Sequence, residues 1–145
     1  MSQAMERLST GVRINSASDD AAGLAISSRM TSQTNGLNMA VRNANDAISM
    51  IQTADGAMVE VANMLQRMRE LSIQAVSGTM SSTDVSALGV EFIALQEQIQ
   101  AISTDTEWNG TKILDGELGS IDFQVGANAS QTISIEFADM NTDFA

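Results

Sequence analysis

The sequence predicts a mainly α-helical protein: a long antiparallel helical hairpin, or coiled-coil rod, followed by a β-hairpin. Three observations predict this fold class. Apolar residues of helical period run through the first half, a second such pattern follows a short polar turn, and the last third changes to two alternating runs around a Gly/Asn-rich turn. We therefore expect a lead-in segment over residues 1–18, two rod helices over 19–105, and a turn and β-hairpin region over 106–145.

The first helix is predicted to begin at residues 15–20, because small polar residues and carboxylates cap helix N-termini. From about Asp20 to Ser77 only tolerable glycines interrupt the helical pattern. A helix of ~55 residues is ~80 Å long at 1.5 Å per residue, far longer than a compact domain of this size requires. Heptad spacing of its apolar residues is typical of helices packed side by side. The predicted helix seam consists of Leu37, Val41, Ala44, Ile48, Ile51, Met58, Leu65 and Met68.

The second helix is predicted to follow a turn over residues 77–84, in which Gly78 suits the end of the first helix and one of Ser82, Thr83 or Asp84 caps the second. Apolar residues at steps of three and four then continue to about Asp105. Because the turn is short, the two helices should be antiparallel neighbours. Alternating apolar and polar residues at 121–125 and 133–137 predict the two strands of the β-hairpin.

Composition argues against several classes of function. With 7 Lys+Arg against 18 Asp+Glu, the net charge of −11 disfavours nucleic acid and anionic membranes as partners. The absence of Cys and His removes disulfides, thiolate metal sites and the usual general base. The stretch 105–110 imitates the start of a calcium loop, but Gly116 stands where a bidentate Glu is required, so a helix-ending turn is the preferred interpretation. We expect no enzyme, catalytic residue, cofactor or metal.

The chain carries no visible transport signal of the usual kinds. No apolar run approaches the ~18–20 residues that a membrane span needs. The N-terminus, MSQAMERLSTG, has no apolar region of a cleaved secretory signal. The protein is therefore expected either to stay inside the cell or to leave by a route that reads no such signal.

The long heptad seam poses a packing problem. A two-helix hairpin and a marginal β-hairpin cannot bury such a seam by themselves. Residues 1–70 hold six basic and seven acidic groups, whereas residues 71–145 hold one basic and eleven acidic groups. The first half is therefore the part suited to face other protein. We expect additional helices from residues outside this chain or from other copies of it.

Arg67 and Leu71 form a candidate binding surface at the end of the first helix. They are i,i+4 neighbours on one helix face, and a planar guanidinium beside an apolar side chain suits protein recognition. The alternative is a solvated Arg beside a Leu that belongs to the core. Spacing alone does not decide between these interpretations.

Five blocks of sequence, in order, resemble bacterial flagellin across almost the whole chain. They are ERLSTGVRINSASDDAAG at 6–23, RNANDAI at 42–48, LQRMRELSIQA at 65–75, NGTKIL at 109–114 and QVGAN at 124–128. The resemblance implies a structural subunit of the bacterial flagellar filament that is secreted through the flagellar type III export machinery with a chaperone and serves motility. By the family pattern this chain starts late and is a fragment, which we expect not to build a normal filament alone.

The resemblance also implies partners for the unburied seam. These partners are other flagellin subunits and the C-terminal helix of the full-length protein. Vertebrate Toll-like receptor 5 recognises many flagellins through the same rod, and the family's key residues fall on Arg67, Leu71 and Glu91. The resemblance therefore implies that these three residues contact both the receptor and neighbouring subunits.

Two alternatives to a filament subunit stay open at the level of sequence. A hook–filament junction (hook-associated) protein shares the RINS-x-x-DD block at residues 13–20 and the long helices, although NGTKIL and QVGAN favour flagellin. A cytosolic coiled-coil adaptor would require the matching blocks to be coincidence.

For a filament subunit the predicted mechanism is mechanical. The seams of neighbouring subunits stack lengthwise into a rigid tube that transmits torque, and no bond is made or broken.

Overall fold

A computed structural model of the chain describes Met5, residues 8–11, Ile14 and residues 20–141. Most of the predicted lead-in over 1–18, and residues 15–19 of the helix-start cluster, lie outside the described residues. The side chain of Asp20 accepts the Gly23 N–H at 2.8 Å, as expected of a residue that caps the helix N-terminus. The elements are α1 (Ala21–Ala75), α2 (Ser82–Asp105), β1 (Glu107–Trp108), β2 (Thr111–Lys112), β3 (Ser120–Gln124) and β4 (Thr132–Glu136).

This order confirms the predicted fold class. Helix α1 has 55 residues and α2 has 24. The predicted β-hairpin is present as the pair β3–β4, closed by the backbone N–H of Val125, which donates to the Gln131 carbonyl at 2.9 Å. Among the helices that the structure describes, none is long and apolar enough to cross a membrane.

Helix α2 begins with a capping box. The Ser81 hydroxyl accepts the Asp84 N–H, and the Asp84 carboxylate accepts the Ser81 N–H at 3.1 Å, so two of the unpaired donors at the helix start are satisfied. The N-cap therefore lies one residue before the range 82–84 in which a capping residue is suggested by the sequence. Asp84 takes part as the N3 partner rather than as the cap.

A second, smaller hairpin lies between α2 and β3. Strands β1 and β2 pair antiparallel with Glu107 opposite Lys112 and Trp108 opposite Thr111, which leaves a two-residue turn of Asn109 and Gly110. Both turn residues have positive φ, 50° and 76°. Asn-Gly is the preferred pair for such a turn because Gly has no Cβ and Asn tolerates the left-handed region. The sequence predicts the turn at this point but not the short strands beside it.

The chain divides into two compact units, each with its own contacts. In the first, residues 1–44 and 124–132, the Asn43 amide donates to the Gln124 carbonyl at 3.0 Å. In the second, residues 45–123 and 133–145, the core is built on Met50, Ala54, Ile113 and Leu114. Partly buried residues complete this core: Ala57, Trp108, Leu118, Ile121, Phe123, Phe137 and Met140. The segment boundaries expected after residues 18 and 105 remain a prediction.

Candidate interaction surface

Most of the predicted helix seam lies on an exposed face of α1. Six of its large apolar side chains are between 42 % and 60 % exposed. Ala44 is half-buried. We call this set the outer row; it consists of Leu37, Val41, Ala44, Ile48, Ile51, Met58 and Leu65.

A second apolar row of α1 is buried, and sequence reasoning missed it. Its members are at most 7 % exposed and follow one another at steps of seven, three, four, seven and ten residues. The step of ten equals seven plus three, so all of them lie on one buried helical stripe. Met68, which the sequence groups with the seam, stands seven residues after Val61 and is half-buried, so it continues this buried row instead. We call the set the inner row; it consists of Ala40, Ala47, Met50, Ala54, Val61 and Leu71.

The sequence pattern did not predict the inner row because half of its members are alanines. Alanine is common in helices for its high propensity, so it is a weak marker of burial. The signal that identifies the row is its register: Ala40, Ala47, Ala54 and Val61 repeat every seven residues without a polar exception. Small side chains let a neighbouring segment approach closely, as at Ala54, which shares the core with Ile113 and Leu114 of the loop after α2.

Arg67 and Glu91 form the centre of a charged cluster that joins α1 to α2. The Arg67 guanidinium donates from Nε to Glu91 Oε1 at 2.9 Å, and its Nη2 lies 2.8 Å from the same oxygen. Its Nη1 also contacts Glu70 Oε2 at 3.1 Å. The hydrogen bond to Glu91, then that to Glu70, raises the pKa of Arg67 above its ordinary value. About half of each side chain of the Arg67–Glu91 pair is exposed (48 % and 46 %), so both stay available to a partner.

Leu71, the third predicted interface residue, lies beneath this cluster and is 2 % exposed. With Ala75 of α1 and Leu88 and Phe92 of α2 it lines a small apolar groove of about 260 Å³ between the helices. The structure therefore brings Arg67 and Glu91 together at the surface, and places Leu71 in the interior. Its burial agrees with the alternative interpretation of a core Leu below a solvated Arg.

The loop after α2 packs against the helix through a buried hydroxyl. Ser103 is fully buried, and its Oγ donates to the Leu114 carbonyl at 2.9 Å. Ile113 and Leu114, each 1 % exposed, are thereby fixed against α2. Over the ranges that the structure describes, no group of three or more His, Cys, Asp or Glu residues is arranged to hold a metal ion. The stretch 105–110 forms the end of α2 and the β1–β2 turn.

A family model described as "Bacterial flagellin N-terminal helical region" matches residues 1–118. The chain belongs to the bacterial flagellin family. It is 50% identical to "Flagellin B" of Vibrio anguillarum over 141 residues, and 51% identical to "Polar flagellin F" of Vibrio parahaemolyticus over 143 residues. These alignments cover 97% and 99% of this chain but 38% of each relative, so the chain spans less than half the length of these flagellins.

A solved structure of FliC from Burkholderia pseudomallei is similar in fold. Its TM-score is 0.61 at 40% sequence identity, and the match covers 65% of this flagellin-family chain and 37% of that chain. Both Vibrio relatives are named flagellins, and neither is named a hook-associated protein. The junction-protein alternative is therefore not favoured.

Proposed function

We propose that this chain is the rod-domain part of a secreted flagellar filament subunit, and that the full-length protein polymerises with other copies of itself for motility. The observation that carries the proposal is the level of identity to named flagellins, about half of all residues over nearly the whole chain. Export through the flagellar type III machinery with a chaperone belongs to the same proposal, since it is the route that the resemblance to flagellin implies.

The outer row supplies the physical basis for polymerisation. Fully burying one Val, Leu, Ile or Met side chain contributes ~1.5–3 kcal/mol, so covering the six half-exposed side chains of this row, each for part of that amount, favours association. A helix that is apolar on two faces is typical of one that is buried on both. We assign the cover to helices from outside this chain: the C-terminal helix of the full-length protein and neighbouring subunits. Many small contacts of this kind give a rigid tube without any chemical step.

Mass spectrometry of appendages sheared from the source cells tests the filament assignment. We expect peptides of this chain to dominate the sheared fraction, because a filament contains very many copies of its subunit. Trace amounts beside an abundant different flagellin would instead support the junction protein. Absence of these peptides from appendages of motile cells would contradict both.

We also propose that Toll-like receptor 5 recognises the surface around Arg67 and Glu91. The specific support is their ion pair, which holds two half-exposed charged side chains side by side across two helices. Leu71 contributes as a positioning residue that sets the spacing of α1 and α2 below the pair. Charged side chains at an interface rim mainly affect recognition and association rate.

Arg67→Ala in the full-length protein tests the receptor proposal, with Arg69→Ala as its matched control. Both changes remove one exposed Arg from the same helical turn, but no ion pair of Arg69 with Glu70 or Glu91 is present in the described structure. We expect Arg67→Ala alone to reduce activation of receptor-bearing reporter cells. Equal loss in both variants would mean that positive charge, rather than the Arg67–Glu91 surface, is recognised; no loss in either would refute the proposal.

A further inference from the structure

The chain contains two Asn-Gly pairs, Asn35-Gly36 and Asn109-Gly110, in opposite structural settings. Asparagine is a chemically labile residue, and glycine after it leaves the following backbone nitrogen unhindered because it has no Cβ. The nitrogen can then react with the asparagine side chain. Whether it does depends on how the fold holds the two groups.

The fold places few restraints on the Asn109 side chain and the Gly110 backbone nitrogen. Both are exposed, and they form the whole of the two-residue turn between β1 and β2. Among the described contacts, neither the Asn109 side-chain amide nor the Gly110 backbone N–H has a hydrogen-bond partner. Apart from Asn109, Gly110 and Thr111 themselves, no described residue has a heavy atom within 4 Å of where a Gly110 Cβ would stand, so the turn has open space around it.

Asn35 and Gly36 are held in the interior of the 55-residue helix α1. There the backbone N–H of Gly36 is the donor of a helical hydrogen bond to the carbonyl four residues earlier. A Cβ at Gly36 would stand 3.2 Å from the Ala127 Cβ, so this stretch is also packed on one side. The nitrogen is available for reaction only when the helix opens locally.

We propose that Asn109 is a site of spontaneous deamidation, whereas Asn35 is protected by the fold. The Gly110 backbone nitrogen attacks the Asn109 side-chain Cγ, a C–N bond forms, and the side-chain nitrogen leaves as ammonia together with the proton of Gly110. Water then opens the five-membered imide at either carbonyl and gives aspartate or isoaspartate. No oxidant, metal or enzyme enters the reaction.

The products disturb the β1–β2 hairpin. Isoaspartate adds one backbone carbon to a turn of two residues, so Trp108 and Thr111 can no longer keep their register. Either product also places a new carboxylate in the open cleft that Asn109 lines with Asp46 and Trp108, and like charges close together repel. Trp108 packs against the core of its unit, and its fluorescence therefore reports the change.

Peptide mass mapping of the chain after prolonged incubation in mildly alkaline buffer tests the proposal, with an isoaspartyl methyltransferase used to detect isoaspartate. We expect Asn109 to lose its amide at least about tenfold faster than Asn35, since a helix-opening cost of ~1.4 kcal/mol alone gives that factor. In strong denaturant the two sites should react at similar rates. A rate at Asn109 equal to or below that at Asn35 in the folded chain, or a tenfold difference that persists in denaturant, would overturn the proposal.

Asn109→Gly is the matched control variant. Glycine keeps the positive φ of the turn and removes only the side-chain amide. We expect the Trp108 fluorescence of the parent chain to drift during incubation while that of Asn109→Gly stays constant. An equal drift in both chains would overturn the assignment of the damage to this turn. The outcome is independent of whether the full-length protein forms filaments.

Discussion

The two apolar rows of α1 differ in a way that residue size would not suggest. The inner row is buried although half of its members are alanines, whereas the outer row is exposed although it consists largely of Leu, Ile, Val and Met. The stabilisation gained by burying a side chain grows with its apolar area. Covering the large exposed side chains of the outer row would therefore contribute more than burying alanines does. The comparison separates a row that is buried within the chain from a broad exposed apolar surface, which we propose is covered by helices from outside it.

The largest effect that separates the rows comes from truncating one Leu in each. Leu71→Ala removes a side chain that is 2 % exposed and should lower the free energy of unfolding by ~2–5 kcal/mol because of lost burial and a cavity. Leu65→Ala removes one that is 53 % exposed and should change it by no more than ~0.5 kcal/mol.

Chemical denaturation of the chain, followed by circular dichroism, measures both changes. Equal destabilisation by the two variants would mean that the outer row is already covered in the isolated chain. That result would remove the distinction on which the comparison is based.

The buried side of the molecule also depends on one polar contact. Ser103→Ala removes the hydroxyl that donates to the Leu114 carbonyl at 2.9 Å and leaves that carbonyl without this donor. We expect a loss of ~0.5–1.5 kcal/mol, because one buried hydrogen bond is removed while the Leu114 carbonyl still accepts the Met140 N–H at 3.0 Å. Ser86→Ala is the control, since its hydroxyl only donates to the Ser82 carbonyl on an exposed part of α2. Similar losses in both variants would contradict the role given to burial.

The capping box at the start of α2 is a further contact that can be tested. Ser81→Ala removes the N-cap and should cost ~1 kcal/mol in denaturant unfolding. Hydrogen bonds from the Ser81 side chain and backbone hold the pKa of Asp84 below its ordinary 3.8. This contribution is present above pH 3.8 and is lost as pH falls through the lowered pKa.

Measuring the free energy of unfolding as the pH is lowered therefore tests whether the capping box is present, however large its contribution to stability is. Removing the hydroxyl brings the pKa of Asp84 back toward its ordinary value, so Ser81→Ala should show a weaker loss of stability at low pH than the parent chain. An unchanged acid profile would mean that the capping box is absent in solution. Ser82→Ala, one residue further on, should leave the profile as it is.

The smallest effect on folding is expected at the exposed ion pair. Glu91→Gln removes one charge of the Arg67–Glu91 pair, and half-exposed pairs contribute little because water screens them. The denaturation midpoint should therefore stay close to that of the parent chain. A large fall would show that the pair holds α1 and α2 together, and would assign it to the fold rather than to recognition.

Sequence patterns predicted the elements well because their signals are local. The span of α1, the end of α2 and the strands around the Gly/Asn turn all follow from periodicity and turn residues. The burial of Leu71 could not be predicted, since i,i+4 spacing to Arg67 is the same for a surface and a core residue. The inner row was missed because alanine marks both helix propensity and close packing, and only the fold tells them apart.

The contact between Arg67 and Glu91 is another feature that local sequence patterns could not predict. Arg67 and Glu91 are 24 residues apart, and their contact depends on how two helices are set against each other. Local patterns do not contain that register. Only the family resemblance brought Glu91 to notice before the structure placed it beside Arg67.

The central claim is that the outer row is the assembly surface, and Ile51→Asp with Met58→Asp in the full-length protein tests it most directly. The pair places two carboxylates on the exposed face, at side chains that are each 42 % exposed, and leaves the inner row intact. Electron microscopy and sedimentation should show soluble subunits with normal helix content and no normal filaments, because burying unpaired charge is costly. Normal straight filaments from this double variant would contradict the account.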